Sequence, residues 1–111
     1  MSTQSDKSLS VADVMLAINA CQLADERTIL KEVLEAMDKH RLGVVCIVEQ
    51  DMHLTGILTE GDVRRKLLRV QKPLAALLAD DVITHAVNSP ISITADVQLM
   101  DALDLMDDKK I

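Results

Sequence analysis

The chain has 111 residues, of which 49% are hydrophobic and none is Phe, Trp or Tyr, so we expect one small domain with an aliphatic and methionine core. Its net charge of −6 at pH 7 argues against nucleic acid as a partner, because phosphate backbones are bound by basic surfaces. No apolar run approaches the ~20 residues of a membrane span, and the polar start lacks the apolar stretch of a signal peptide, so a cytoplasmic protein is expected.

The first quarter of the chain predicts short elements only. Residues 1–10 are polar and are expected to be a disordered tail or a segment added for expression. Residues 11–16 are apolar enough for a short helix. Residues 20–24 are expected to form a short strand, with Gln22 as its polar interruption.

Residues 28–40 predict an amphipathic helix, because apolar residues recur there at spacings of three and four opposite a charged face. The apolar residues are Ile29, Leu30, Val33, Leu34 and Met37. Thr28 or Asp25 is expected to cap this helix, and Gly43 to end it after Leu42. We interpret the apolar stripe as core rather than as a cofactor-binding surface.

Residues 44–69 predict a strand, a turn, a second strand and a helix. The first strand, 44–48, is apolar and mostly β-branched. The second, 54–58, contains Gly56, and a glycine inside a strand often marks a bulge or a close approach by another backbone or a ligand. Thr59-Glu60-Gly61-Asp62 then opens a helix that is expected to run to about Arg69.

Thr59 and Asp62 fit two interpretations. As a capping box, the hydroxyl of Thr59 and the carboxylate of Asp62 accept hydrogen bonds from each other's amides, which stabilises a protein by about 1 kcal/mol. As a site, the helix start offers free amides and partial positive charge to a phosphate, while the carboxylate accepts from two sugar hydroxyls. The spacing alone favours the cap.

This stretch resembles the second half of a CBS domain, a family named after cystathionine β-synthase. The nucleotide-binding signature of that family is glycine, two apolar residues, Thr or Ser, two residues and Asp, and it stands here as GILTEGD at 56–62. The continuation GDVRR at 61–65 is similar to the CBS pair of arabinose-5-phosphate isomerases, and a similar run occurs in CBS pairs of sugar nucleotidyltransferases. The resemblance covers 11–111 and implies an α/β (α+β) fold built from strand-helix-strand-strand-helix units.

The rest of the chain predicts a partial repeat. A linker over 71–80 is expected to hold a short helix opened by Pro73, followed by a strand at 90–93 and a helix over 97–109 capped by Asp96. A shift of 69 positions matches the last helix to the first. The matched pairs are Leu30 with Leu99, Leu34 with Leu103, and Met37 with Met106.

These matches predict a first CBS motif over 11–70 and the N-terminal part of a second over 81–111. Leu99, Leu103 and Met106 would then face a half-built core, which soluble monomers avoid. We expect a longer chain to complete that core; completion by a second chain would give a swap-like dimer.

The chemistry is expected to be binding rather than catalysis, because no nucleophile motif, P-loop or dinucleotide-binding glycine pattern is present. Cys21 and Cys46 are not expected to form a disulfide in a reducing cytoplasm. The cysteines and the scattered histidines lack the spacing of a metal site, so none is predicted. No cofactor and no catalytic residue are predicted in this chain.

The resemblance implies an adenine nucleotide or nucleotide sugar in a cleft between the two halves. Thr59 and Asp62 would hold its ribose or phosphate. The implied base contacts are the backbone of Val44 and Val45, the implied apolar walls are Ala20, Cys21 and Ile57, and the implied phosphate contact is Arg64 or Arg65.

The resemblance also implies the role of the protein. We expect a regulatory nucleotide-binding module of a sugar-phosphate isomerase of lipopolysaccharide or capsule synthesis, with the isomerase domain outside this chain and a homodimer as the assembly. One alternative is a structural oligomerisation module in which Thr59 and Asp62 act only as a cap. The other is the CBS tail of a sugar nucleotidyltransferase.

Overall fold

The computed structural model describes residues 9–111, which form two compact units. One, the sheet unit, contains residues 18–90; the other, the terminal unit, joins residues up to 17 with residues 91–111. Residues 1–8 of the expected tail lie outside the described residues, whereas Leu9 accepts a hydrogen bond from the amide of Leu99 at 2.8 Å. Within residues 9–111, no helix combines the length and apolar character needed to cross a membrane.

The expected mixed α and β fold is confirmed. The strands are β1 (Leu23–Asp25), β2 (Val44–Val48), β3 (Leu54–Thr59) and β4 (Val87–Asn88). The α-helices are α1 (Val11–Val14), α2 (Leu30–His40), α3 (Glu60–Arg69), α4 (Leu74–Leu78), α5 (Val82–His85) and α6 (Leu99–Lys109), and a 3-10 turn covers Ile18–Ala20. The four strands form one sheet in the order β1-β2-β3-β4, with β1 parallel to β2 and the other pairs antiparallel.

The core of the sheet unit lies between one face of this sheet and the helices. Side chains alternate along a strand, so Val45 and Ile47 of β2 share the buried face with Leu58 of β3. The helices contribute Leu30, Val33, Met37, Val63, Leu77 and Val82 to the same cluster. The interpretation of the α2 stripe as core is therefore confirmed.

Gly56 of β3 shows both features that its position predicted. The register between β2 and β3 shifts, because Ile47 lies opposite Gly56 while Val48 lies opposite Leu54, which leaves one extra residue on β3. A Cβ at position 56 would lie 3.1 Å from the Cδ1 atom of Ile83 and 3.3 Å from the carbonyl oxygen of Val87. Glycine therefore lets α5 and β4 lie close to β3 at this position.

Helix α2 ends at His40 as predicted, but its start and the signals at both of its ends differ from the prediction. Neither Thr28 nor Asp25 caps the helix, which begins at Leu30, two residues after the predicted start. The amide of Leu30 donates to the carbonyl oxygen of Asp80 at 2.9 Å. The left-handed residue after the helix is Arg41, with φ of 58°, and Gly43 has no positive φ. The expected stop at Gly43 is thus wrong by two residues.

The strand predictions outside β2 and β3 were less accurate. The first strand begins at Leu23 rather than at residue 20, because residues 18–20 form the 3-10 turn. Residues 90–93 form no strand; the edge of β3 is instead paired with Val87–Asn88. Asp96 is not the cap of α6, since its carboxylate accepts a hydrogen bond from the hydroxyl of Thr94 and the helix begins at Leu99.

The predicted period of 69 residues recurs in the structure. Helices α2 and α6 begin and end 69 positions apart, and each is followed by a left-handed residue, Arg41 or Lys110, with φ of 58° and 59°. Their starts are held alike. The amides of Leu30 and Leu99 donate to the carbonyls of Asp80 and Leu9 at 2.9 and 2.8 Å, and the amides of Val82 and Val11 donate to those of Thr28 and Val97, both at 2.8 Å.

Through these hydrogen bonds, the short helix that opens each repeat is attached to the long helix of the other repeat. Helix α5, which opens the second repeat, is hydrogen-bonded at its start to the start of α2 in the sheet unit. Helix α1, which opens the first repeat, is bonded in the same way to the start of α6 in the terminal unit. Each compact unit therefore contains residues from both sequence repeats.

Candidate functional site

Thr59 and Asp62 form a complete capping box at the junction of β3 and α3. The Asp62 amide donates to the Thr59 Oγ1 atom at 3.2 Å, and the Thr59 amide donates to the Asp62 Oδ2 atom at 2.9 Å. The Thr59 hydroxyl also donates to Oδ2 at 3.0 Å. The geometry of the cap interpretation is therefore confirmed, and one carboxylate oxygen of Asp62 is used by it.

The second carboxylate oxygen of Asp62 faces Arg65. The Arg65 Nη2 atom donates to Oδ1 at 2.8 Å, and the side chain of Arg65 is 49% exposed in this pair. Burial raises the pKa of Asp62, but the hydrogen bonds from Arg65 and Thr59 together outweigh it, so the pKa lies below its ordinary value of 3.8. Asp62 is therefore a carboxylate at neutral pH and accepts hydrogen bonds only.

Beside this corner lies the sheet face that points away from the core. Val44 is the register partner of Thr59, and Cys46 is the partner of Ile57. All four residues are half-buried, and we refer to them as the outer face. Val45 points the other way and is 1% exposed, so only its backbone is open to a ligand on the outer face.

The other two predicted wall residues lie in front of β1. Ala20 and Cys21 line a cavity of about 520 Å³ together with His40 and Leu42, whereas Asp62 lines a different cavity. Burial and, to a lesser degree, the nearby Cys21 thiol raise the pKa of Cys46. Cys21 therefore lies close to the outer face, although the structure does not bring it into one cavity with Asp62.

The cavity that Asp62 lines is a cleft of about 260 Å³ between α3 and α5, here called the α3–α5 cleft. Its lining is Asp62, Arg65, Lys66, Arg69, Val70, His85, Ala86 and Val87. Arg64, one of the predicted phosphate contacts, is exposed and does not belong to this lining. Positions 62, 65, 66 and 69 share one helix face, so the spacing alone could have identified the basic residues.

His85 is the buried polar residue of this cleft, with only 7% of its surface exposed. Its Nε2 atom lies 2.8 Å from the Asp80 Oδ2 atom, and Asp80 also accepts from the Lys72 Nζ atom at 2.8 Å. The hydrogen bonds from Lys72 and His85 lower the pKa of Asp80 below 3.8, so Asp80 is an acceptor and Nε2 is the donor. The His85 Nδ1 atom is buried and has no hydrogen-bond partner among the described residues.

Among residues 9–111, no group of three or more His, Cys, Asp or Glu side chains is arranged to hold a metal ion. The site consists of one ionised carboxylate at a helix start, the half-buried outer face beside it, and a basic cleft along the same helix. Such an arrangement suits hydroxyl groups, an apolar ring and an anion.

Sequence comparison places residues 11–69, more than half of the chain, in a match to the model of the CBS domain. Curated relatives include an uncharacterized protein of Chlamydia pneumoniae, 36% identical over 87 residues, and an uncharacterized protein of Helicobacter pylori, 32% identical over 104 residues. These alignments cover 78% and 93% of this chain but 25% and 30% of the relatives. The chain thus spans less than a third of their length.

Structural comparison gives the same fold. The structure of the protein CBSX2 in complex with AMP has a TM-score of 0.80 at 18% identity, covering 94% of this chain and 78% of that one. A CBS domain protein of Pyrobaculum aerophilum complexed with AMP has a TM-score of 0.76 at 18% identity, covering 93% and 74%. A CBS domain pair in complex with 5′-methylthioadenosine and S-adenosyl-L-methionine also has a TM-score of 0.76 at 18% identity, covering 92% and 74%.

Proposed function

Since the chain belongs to the CBS-domain family, we propose that it is a regulatory module that binds an adenine nucleotide or a nucleotide sugar. The observation that carries the proposal is the ionised carboxylate of Asp62 at the start of α3, next to the half-buried outer face. The AMP and S-adenosyl-L-methionine complexes of structurally similar proteins support an adenine-containing ligand. A nucleotide changes the activity of a parent protein only if it binds two of its states with different affinity.

The cap and the site use different oxygens of Asp62. Oδ2 is held by Thr59, so it stays with the helix start. Oδ1 is held by an exposed Arg65, and exposed ion pairs of this kind contribute little, about 0–1 kcal/mol. A ribose hydroxyl therefore replaces Arg65 at Oδ1 at small cost, and Arg65 is then free to turn toward a phosphate.

The base is proposed to rest on the outer face. Val44 and Ile57 offer aliphatic surface, and the chain has no aromatic residue to stack on a ring. Cys21 and Ala20 would close the wall on the side of β1. The hydrophobic term for the base is then the burial of aliphatic surface, about 25 cal/mol per Å².

The parent protein is proposed to be a cytoplasmic arabinose-5-phosphate isomerase that acts as a homodimer. Two observations support this assignment: the GDVRR run at 61–65, and the greater length of the curated relatives, which leaves room for a further domain. A sugar nucleotidyltransferase is the alternative parent.

The second candidate function is structural oligomerisation without a ligand. It is favoured by the mutual hydrogen bonds of Thr59 and Asp62, which satisfy both groups in the absence of any ligand. In that case Asp62 contributes only a helix cap.

Thermal unfolding with AMP, ADP, ATP and cytidine sugar nucleotides tests the two functions. A ligand at 100 times its dissociation constant stabilises the folded chain by about 2.7 kcal/mol, so we expect one of these nucleotides to raise the midpoint clearly. Asp62→Ala should lower the basal stability and abolish that rise. No rise with any nucleotide in the wild-type chain would leave the structural function.

Asp13→Ala is the matched control for this experiment. Ser10 and Asp13 form a second capping box at the start of α1, with the Ser10 amide donating to the Asp13 Oδ2 atom at 2.8 Å. This variant loses a cap of the same chemistry without touching Asp62, so it should keep the nucleotide response. Loss of the response in both variants would contradict a binding role for Asp62.

A further inference from the structure

We propose that the α3–α5 cleft is an anion site that binds a phosphate group, with Lys66, Arg69 and His85 as the binding residues. The proposal goes beyond the nucleotide function, because it assigns a ligand class to residues that the family signature at 56–62 does not contain. It also stands without that function, since inorganic phosphate alone is expected to bind.

The cleft carries an excess of positive charge, which favours the binding of an anion. Arg65 is paired with Asp62, and Lys72 is paired with Asp80, so these two pairs contribute no net charge. Lys66 and Arg69 have no ion-pair partner among the described residues. Two uncompensated cations therefore share one cavity in a chain whose formal net charge is −6.

The spacing on α3 directs these cations to one ligand. Lys66 and Arg69 lie three positions apart and therefore on the same side of the helix. Lys66 is half-buried, which limits the positions that its ammonium group can reach. A guanidinium and an ammonium on one face suit the several acceptor oxygens of a phosphate.

His85 is the independent observation that indicates a ligand. Its side chain is more than nine-tenths buried, it lines the cleft from α5, and Asp80 fixes Nε2 as the donor of one hydrogen bond. Nδ1 is then left without a partner, and a buried polar atom without a hydrogen bond costs free energy. Nδ1 itself lies beneath the surface of the cleft, so a phosphate supplies the missing partner once the lining side chains shift: its oxygen accepts from Nδ1–H of a charged imidazole, or its hydroxyl donates to Nδ1 of a neutral one.

The cleft also has a suitable size and position. A volume of about 260 Å³ is ample for a phosphate group. Asp62, the proposed ribose contact, is one of its lining residues. The phosphate is therefore either that of a nucleotide whose ribose lies at Asp62 or a separate ion, and the chemistry of recognition is the same.

The test is a phosphate titration of the 111-residue chain followed by NMR, at constant ionic strength with chloride as the reference anion. We expect phosphate to shift the amide signals of residues 62–70 and 85–87 in a saturable way. Lys66→Gln combined with Arg69→Gln should weaken this binding at least tenfold. Equal shifts with chloride, or no saturation, would overturn the proposal.

A charge-matched control separates a site from a general charge effect. Lys31→Gln combined with Lys39→Gln removes the same two positive charges from exposed positions on α2. Phosphate affinity should stay within twofold of the wild-type value in this variant. A loss as large as that of the α3 variant would show that net charge, rather than the cleft, attracts the anion.

His85 is tested by the imidazole signals of the wild-type chain, so that the result does not depend on whether a substituted chain folds. Phosphate should shift the Nδ1 signal with the same midpoint as the amides; an unchanged Nδ1 signal at saturation would remove His85 from the site. Competition then separates the two sources of phosphate. AMP displaces free phosphate while adenosine does not if the nucleotide supplies the group, and AMP and phosphate bind together if the ion is separate.

Discussion

At the scale of single residues, Asp62 has two separable tasks. Its Oδ2 atom accepts hydrogen bonds from Thr59 and so holds the first turn of α3. Its Oδ1 atom accepts from Arg65, an exposed side chain that can also bond to water. Stability and binding therefore respond to different substitutions at the same corner. Changing Thr59 tests the cap, and changing the charge of Asp62 tests both.

Thr59→Ala is expected to lower the free energy of unfolding by about 1 kcal/mol, because the amide of Asp62 loses its hydroxyl acceptor. Thr28→Ala is the control, since Thr28 also precedes a helix but does not cap it. Urea denaturation of both variants at pH 7 measures the difference. Equal losses would mean that the Thr59 hydroxyl contributes nothing as a cap.

Acidification should remove the contribution of Asp62 to stability. Its pKa is lower in the folded chain than its ordinary value of 3.8, so the stabilisation is present above that value and is lost as the pH falls through the lower folded pKa. Asp62→Asn should therefore lose less stability than the wild type between pH 5 and 2, as measured by urea midpoints. Asp80 has a lowered pKa in both proteins, so the difference between the two curves reports Asp62.

At the scale of elements, the pairing of β4 at the edge of the sheet depends on the absence of a side chain at Gly56. Gly56 lies under α5 and against β4, where a Cβ would meet the Ile83 side chain and the Val87 carbonyl at 3.1 and 3.3 Å. The carbonyl belongs to the backbone and cannot turn aside. Space, rather than a left-handed backbone, is therefore the reason for a glycine here, because no glycine of the described residues has a positive φ.

Gly56→Ala is expected to cost about 1–3 kcal/mol, the usual range for overpacking a filled interior. Gly43→Ala is the matched control. The three atoms nearest to its new Cβ, at 3.0–3.4 Å, all belong to the exposed side chain of Glu60, which can rotate into solvent. Chemical denaturation of both variants checks the contrast, and a loss at position 43 as large as that at 56 would contradict the steric argument.

The elements that sequence reasoning located well are those determined by neighbouring residues. β2 was located to the residue because its run is short, apolar and β-branched, and the cap at Thr59 and Asp62 was located because its partners are three positions apart. β4 and the start of α2 were missed because distant residues define them: the edge of β3 selects Val87, and the carbonyl of Asp80 takes the place of a capping side chain.

The same distinction applies to the candidate site. The Asp62 corner is local and was predictable from spacing, and Lys66 and Arg69 were predictable from the helix face. His85 was not, because its burial and its bond to Asp80 depend on how α5 packs. No pattern in the residues around position 85 indicates an orphaned ring nitrogen.

At the scale of the whole molecule, equivalent positions of the two repeats have different surroundings. Met37 on α2 is 2% exposed, whereas its counterpart Met106 on α6 is 44% exposed. The two helices have the same bounds after a shift of 69 positions. Among the described residues, however, only α2 packs on a sheet within its own unit. The two repeats therefore place their helices at equivalent positions in the sequence, but the equivalent side chains are not equally buried.

Met37→Ala should lower the free energy of unfolding by about 2–5 kcal/mol, as expected for a buried methionine. Met106→Ala should change it by no more than about 0.5 kcal/mol, as is usual at an exposed position. Urea unfolding of the 111-residue chain compares the two. A large loss at Met106 would show that its side chain is covered when the protein is in solution.

Because α1 and α5 lie in the unit of the other repeat, we expect these chains to tolerate recombination at some points and not at others. A crossover after residue 70 follows the repeat in the sequence, yet it would replace Leu77, Val82 and β4 while leaving α2 and strands β1 to β3 unchanged. Crossovers near residues 18 and 90 would instead transplant an intact interior. Chimeras joined at those two points should stay folded. Chimeras joined at the repeat boundary should be less stable, because core residues from two different parents would have to pack together.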